Sequence, residues 1–249
     1  MANKYLLVIA RYQDERQEIF EKHISPKNKE YCHRHGMEYI LADNSIDLPL
    51  FRGNPTWWKF SLLNEMLDYG SVKDGDMFVH FDADMVIVKP EYEYTTRKSF
   101  SYAIDNGNTH CMGNYCMKIN DWTVDLVQNI LSEELWEKNK DSPHWIDFRE
   151  QAAWYSLCGI QPHSFQPFSQ MKFNGFSSLV SDNTMYSPSE LLHNVEIKSP
   201  KWNTTLLESE ADDPISQMLQ QYNINRTIPE ETIIRHFAGG QTWRKEYFQ

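Results

Sequence analysis

Residues 77–90 read MFVHFDADMVIVKP. An apolar run, 77–81, ends in Asp82-Ala83-Asp84, and a second apolar run follows until Pro90. Continuous apolar segments of this length read as strands covered on both faces. In an extended chain residues i and i+2 point to one side, so the carboxylates of Asp82 and Asp84 should converge. Like charges held together repel, and burying them uncompensated is costly. The nearest following cation is Lys89, five residues on. A divalent cation resolves the conflict, and oxygen ligands favour Mg²⁺, Ca²⁺ or Mn²⁺. In open α/β sheets ligands collect at the carboxyl ends of the strands, which is where this pair stands. Taken alone, D-A-D also fits a plain polar strand end.

Residues 5–10 (YLLVIA) form another continuous apolar run. Asp14 is placed to cap a helix from about Glu15, interrupted near Pro26 and resuming to His35, with Gly36 at its C-terminal stop. Residues 37–41 (MEYIL) then predict a second strand ending at Asp43. This β-α-β order implies a parallel sheet with a right-handed crossover. Residues 57–69 have helical apolar spacing, and Gly70 stops them. Residues 101–104 and 111–118 predict further strands. A long helix is predicted from Asn120 or Asp121 through Trp136, and another over 147–158, closed by Gly159. Over 160–210 the periodicity is lost. A helix over 212–222 and a last strand over 232–237 complete the reading. His80, on the strand before the acidic pair, reads as packing. The fold class expected is α/β: a mixed, mostly parallel sheet flanked by helices, in a single domain over 1–249.

Composition narrows the function. The chain has 249 residues, 24 basic and 35 acidic, for a formal net charge of −11. That opposes a nucleic-acid partner, which calls for a basic footprint. The four cysteines, Cys32, Cys111, Cys116 and Cys158, lack zinc-site spacing and read as reduced thiols. No segment reads as a signal peptide or an integral membrane segment, so a cytoplasmic location is expected. The sequon Asn203-Thr204-Thr205 has meaning only in a secretory lumen. Neither GxxxxGK[ST] nor GxGxxG occurs, so a phosphate-bearing ligand would be held by a metal and single side chains. A sugar nucleotide, whose leaving diphosphate a metal neutralises, fits that description.

Residues 77–90 resemble the DxD strand of GT-A-fold (Rossmann-like) glycosyltransferases. Residues 5–11 resemble their first nucleotide-binding strand. Residues 57–63, with Trp57-Trp58-Lys59-Phe60, resemble the helix that carries a donor-contacting lysine. Arg235-His236-Phe237-Ala238-Gly239-Gly240 resembles their C-terminal HFxG segment. The set is most similar to the GMA12/MNN10-like galactosyl/xylosyl/mannosyl transferase family, with the glycogenin-like family next. The resemblance covers roughly 5–160 and 230–245 and implies a retaining enzyme.

The resemblance implies that Asp82, Asp84 and His236 hold Mn²⁺, with Mg²⁺ as the alternative ion. It places Ala10, Arg11 and Tyr12, with Asp43 nearby, around the base and ribose. Lys59, Asp82, Ala83, Gly113, Asn114 and Gly239 would contact the donor, and Lys245 would reach its diphosphate. Glu150 and Gln151 resemble the acidic-Gln pair beside the reacting sugar, with Glu where many relatives have Asp. Were the reaction inverting, Asp147 or Glu150 would serve as general base. The donor would be a UDP- or GDP-sugar and the acceptor a glycan or other hydroxyl. The halves 1–110 and 111–249 would serve donor and acceptor. Two other readings stand beside this one. A sugar-phosphate nucleotidyltransferase would want a glycine-rich basic loop where Arg11-Tyr12-Gln13-Asp14 stands. A metal-dependent carbohydrate-binding protein would not need the buried β-α-β start.

Overall fold

The computed structural model describes residues 2–46, 51–105, 110–141, 145–146, 149–159, 185–205 and 231–237. Strand β1 (Lys4–Ala10) leads through helices α1 (Glu15–Ile19) and α2 (Ser25–His35) to β2 (Glu38–Asp43). Asp14 caps α1 by accepting from the Arg16 N–H. A π-helical turn, Phe20–Ile24, separates the two helices just before Pro26, whose ring and missing N–H disturb a regular helix at that point. Gly36 ends α2 at φ 62°, ψ 40°, a left-handed conformation that favours glycine.

Helix α3 (Trp58–Asp68) precedes β3 (Met77–Asp82) and the short β4 (Met85–Ile87). Strands β5 (Phe100–Ile104) and β6 (His110–Lys118) follow, then α4 (Asp121–Ile130), α5 (Glu133–Asn139) and α6 (Glu150–Cys158). Helix α7 (Pro188–Asn194) runs into β7 (Val195–Lys198), and β8 (Thr204–Thr205) and β9 (Ile234–His236) complete the described elements. The main sheet has six strands in the order β2-β1-β3-β6-β5-β7. β6 is antiparallel to both neighbours, and the β1–β2, β1–β3 and β5–β7 pairs are parallel. The mixed, mostly parallel α/β sheet expected from sequence is therefore present. Because β6 lies between β3 and β5, both halves of the chain build one sheet.

The apolar runs cover both faces, as period-2 alternation requires. Tyr5 and Leu7 of β1 join Phe78, Trp58, Leu63, Leu126 and Trp154 in one core. Leu6 and Val8 join Val79, Phe20, Ile24 and Tyr31 in the other. Each fully buried Leu or Phe there contributes about 1.5–3 kcal/mol relative to exposure.

The register places the site. Ala10 pairs with Asp43, and Ile9 with Asp82, so the carboxyl ends of three adjacent strands carry residues expected to bind the donor. A second sheet, β4-β9-β8, sets Met85 opposite His236.

Four expectations need correction. Asp82 ends β3, but Ala83 and Asp84 form a turn, so the acidic pair is brought together by that turn and not by continued extension. The single helix expected through Trp136 is two, because Ser132 caps α5 by accepting from the Leu135 N–H. Arg52 stabilises the break by donating from Nη2 to Leu131 O at 2.9 Å and Ser132 O at 3.0 Å. The helix expected from 147 begins at Glu150, after Arg149 at φ 51°. Part of the segment without periodicity holds α7 and β7, and β7 pairs in parallel with β5. The helix expected over 212–222 lies outside the described residues. The described cysteines are free thiols. Among the described residues no helix is long and apolar enough to cross a membrane.

Asn120 starts α4 with a reciprocal capping box, its side chain accepting from Thr123 N at 3.0 Å. Asn120→Ala should lower unfolding free energy by about 1 kcal/mol, read as a lower urea midpoint at unchanged slope.

Candidate metal centre

The centre begins with the carboxylate of Asp82, whose Oδ1 accepts two hydrogen bonds. Lys59 Nζ donates at 3.0 Å and His80 Nε2 lies at 2.9 Å. Burial and the charge of Lys59 lower the pKa of His80, so its ring is neutral and Nε2–H donates. Burial works against the Asp82 carboxylate, but Lys59 and then His80 outweigh it and hold the group well below the usual range. Asp82 Oδ2 faces Gly113, where a Cβ would stand 2.9 Å from it and 2.7 Å from Met85 Cε. A side chain there would displace the Asp82 carboxylate or the Met85 methyl.

Lys59 is expected on the donor, and the structure places it at the cleft wall with its side chain buried against Asp82. Its side chain keeps 2% of its surface, and Nζ also reaches Met112 O at 3.1 Å and Glu150 Oε1 at 3.0 Å. An ammonium has three protons, and here three oxygens take them. Burial alone would lower its pKa, but Asp82 and then Glu150 raise it above the usual lysine value. Tyr115 OH fastens the same turn of α3 by donating to Lys59 O at 2.9 Å.

The second carboxylate, Asp84, meets His236 with 3.4 Å between Oδ1 and Nε2. The Phe237 N–H donates to Asp84 O at 3.0 Å, so β9 is pinned to the turn that bears Asp84. Burial works against a charged His236, but Asp84 raises its pKa well above the ordinary imidazole value. His236 Nδ1 lies 2.9 Å from Asn203 Oδ1. One ligand atom each from Asp82, Asp84 and His236 lie within 4.8 Å of one another. Two carboxylate oxygens and an imidazole nitrogen gathered this closely fit a divalent ion.

A cleft of about 180 Å³ opens beside the cluster, lined by Ile9, Arg11, Tyr12, Pro55, Thr56, Lys59, Asp82, Ala83 and Asp84. Arg11 stacks on Trp58 with its guanidinium carbon 4.5 Å from the ring centre. Ala10 and Asp43 face each other at the strand ends behind this wall. Asp43 Oδ1 accepts from Ser45 N at 2.9 Å and Ser45 Oγ at 2.5 Å, which holds its pKa below the ordinary carboxylate value.

The remaining expected residues divide. Glu150 joins the centre through Lys59 and is 7% exposed. Gln151 packs alongside, accepting from Met112 N at 3.0 Å and donating to Tyr155 OH at 2.9 Å. Asn114, paired with Phe81 one step along β6 from Gly113, turns to the other face. There its amide meets Tyr94 OH and Ala103 N, both at 3.2 Å, and Trp202 O at 2.6 Å. Asp147, Gly239 and Lys245 lie outside the described residues. Sequence reading missed His80 and Asn203; a histidine two residues before an acidic strand end was the available signal for the first.

No protein-family model matches the chain, and no curated protein matches it. Among solved structures, it is similar to a glycosyltransferase involved in the glycosylation of the major capsid of PBCV-1, at 10% identity over 97% of each chain, with a TM-score of 0.49. It is similar to the glycosyltransferase GlyE of Streptococcus pneumoniae TIGR4 at 10% identity and a TM-score of 0.49, over 100% of this chain and 60% of that one. Mouse xyloside xylosyltransferase 1 is similar at 8% identity over 96% of this chain and 99% of that one, with a TM-score of 0.48.

Removing the charge of Lys59 leaves Asp82 and Glu150 without their shared partner. Lys59→Met should destabilise the fold at pH 7 by about 3 kcal/mol, the lower end for a broken buried pair, because Asp82 keeps 36% of its side-chain surface and is partly screened. The depressed pKa of Asp82 contributes stability above the unfolded carboxylate value, and that contribution is lost as pH falls through the folded one. Urea unfolding of both proteins should therefore show the gap narrowing below about pH 4; a gap constant with pH would refute the pairing.

Proposed function

We propose that the chain is a metal-dependent glycosyltransferase that moves a sugar from a nucleoside diphosphate sugar to an acceptor hydroxyl. The observation that carries this reading is the meeting of Asp82, Asp84 and His236 beside a cleft walled by the end of β1. These three residues would hold the ion, and mixed carboxylate and imidazole donors suit Mn²⁺ better than Mg²⁺. Once bound, the ion would neutralise the donor diphosphate and stabilise the charge that grows on it as the bond to the anomeric carbon breaks.

The chain's own residues orient the donor around that centre. Arg11 and Tyr12 line the cleft, and in this reading they meet the base and ribose with Ala10 and Asp43. Lys59 acts at one remove: its three protons are taken, so it fixes Asp82 and Glu150 in place. Gly113 leaves room at Asp82 Oδ2 that any side chain would fill. Gln151 holds the start of α6 against β6 through the Met112 N–H; in this reading, Glu150 and Gln151 are the pair beside the reacting sugar. Gly239 and Lys245 are assigned to the donor side from the sequence resemblance, and Lys245 would assist the leaving diphosphate. The same resemblance supports retention, with the acceptor attacking the face the diphosphate leaves. If products proved inverted, Asp147 or Glu150 would be the base.

A panel of UDP- and GDP-sugars incubated with Mn²⁺ should reveal hydrolysis of one donor class that stops on chelation and returns with Mn²⁺. Asp84→Asn should abolish it; a fully active variant would end the metal assignment. Nucleoside diphosphate and Mn²⁺ together should also raise the melting temperature, since a ligand at one hundred times its Kd adds about 2.7 kcal/mol by linkage. A protein that only binds glycans would not respond to the nucleotide.

A further inference from the structure

The sequon Asn203-Thr204-Thr205 is interior: Asn203 and Thr204 have no exposed surface, and Thr205 keeps 5%. No glycan could be accommodated on it in the folded chain. Asn203 faces His236 instead, with Oδ1 2.9 Å from Nδ1. A carboxamide oxygen only accepts, so the proton in that bond belongs to Nδ1. The opposite ring nitrogen, Nε2, is the one turned to Asp84. With Nδ1 bonded to Asn203, Nε2 is the nitrogen left to the cluster, and a bound cation replacing its proton would take the lone pair there.

Two observations set this contact apart from ordinary packing. Asn203 is held from its backbone, because its N–H donates to Pro200 O at 2.9 Å and the adjoining β8 pairs Thr205 with His236. Its Nδ2 has no hydrogen-bond partner among the described residues. A buried donor left unsatisfied is costly. A leucine of nearly the same shape would avoid that cost but could not accept from His236.

We propose that Asn203 is a positioning residue of the metal centre, whose Oδ1 holds His236 in the tautomer and orientation in which Nε2 binds the ion. The proposal rests on the metal reading above. Metal-binding histidines almost always donate their other N–H to such a partner, and losing the partner weakens affinity about 10–100-fold.

The test is Mn²⁺ binding to the full chain without nucleotide, followed by the electron paramagnetic resonance of the free ion. Asn203→Leu should raise the Kd for Mn²⁺ about 10–100-fold, while Asn203→Asp, which keeps an acceptor in place, should bind close to the wild type. Circular dichroism and melting temperature establish that both variants are folded. Leu binding as tightly as the wild type, or Asp and Leu weakened alike, would overturn the proposal. A wild type that binds no Mn²⁺ is a different failure, because it removes the metal reading itself. If the Leu variant does not fold, ¹⁵N-histidine spectra of the Zn²⁺-loaded wild type decide: His236 protonated at Nδ1 supports the proposal, and protonation at Nε2 overturns it.

Discussion

A buried ammonium must have each of its protons accepted, and Lys59 meets that constraint with three elements at once. Its partners are Asp82 on β3, Met112 O on β6 and Glu150 on α6, and it stands on α3 itself. The charge balance is also a distance constraint. With Nζ about 3 Å from each oxygen, helices α3 and α6 cannot slide over the sheet without leaving a charge bare in the core. The cluster of Asp82, Asp84 and His236 inherits its placement from this knot, since the oxygen that Lys59 holds belongs to one of the cluster's two carboxylates.

Around the knot the site is layered by function. Asp82 is fixed through one oxygen by Lys59 and His80, and its other oxygen looks toward Gly113. His236 is reached from the second sheet, whose strand β9 is tied to the Asp84 turn by the Phe237 N–H. Two sheets therefore bring carboxylates and an imidazole from residues more than 150 positions apart to within 4.8 Å. The acidic net charge of the chain is no obstacle to an anionic ligand here, because a bound cation and Arg11 would set the local sign.

Much of this was legible in sequence where the signal is local. Continuous apolar runs at 5–10 and 77–81 gave β1 and β3, and Gly36 marked the end of α2 by the left-handed backbone it adopts. That Asp82, Asp84 and His236 meet was legible because each stands in a short recognisable motif. The failures are non-local. Lys59 on an amphipathic helix does not announce that its partners lie 23 and 53 residues away. His80 reads as buried from strand periodicity, and nothing in that pattern tells a packed ring from one that donates to a carboxylate. Ser132 broke a helix whose apolar spacing continued past it, because one capping hydroxyl and an arginine on the freed carbonyls outweigh periodicity. β7 escaped because four residues alternating Val-Glu-Ile-Lys carry too little pattern to stand out.

The placement of β6 bears on how the chain assembles. β1, β2 and β3 come from the first third of the sequence and pair through local crossovers, yet β3 finds its second neighbour only when β6 arrives. Until then the β3 edge, with Phe78, Val79 and Phe81 along it, is an unpaired row of backbone donors and acceptors beside apolar side chains. Such an edge is a template for pairing with another chain. The strand that closes the sheet thus covers the β3 edge from Met77 to Phe81 against intermolecular pairing, and the first three strands depend on a segment about thirty residues further on for that cover.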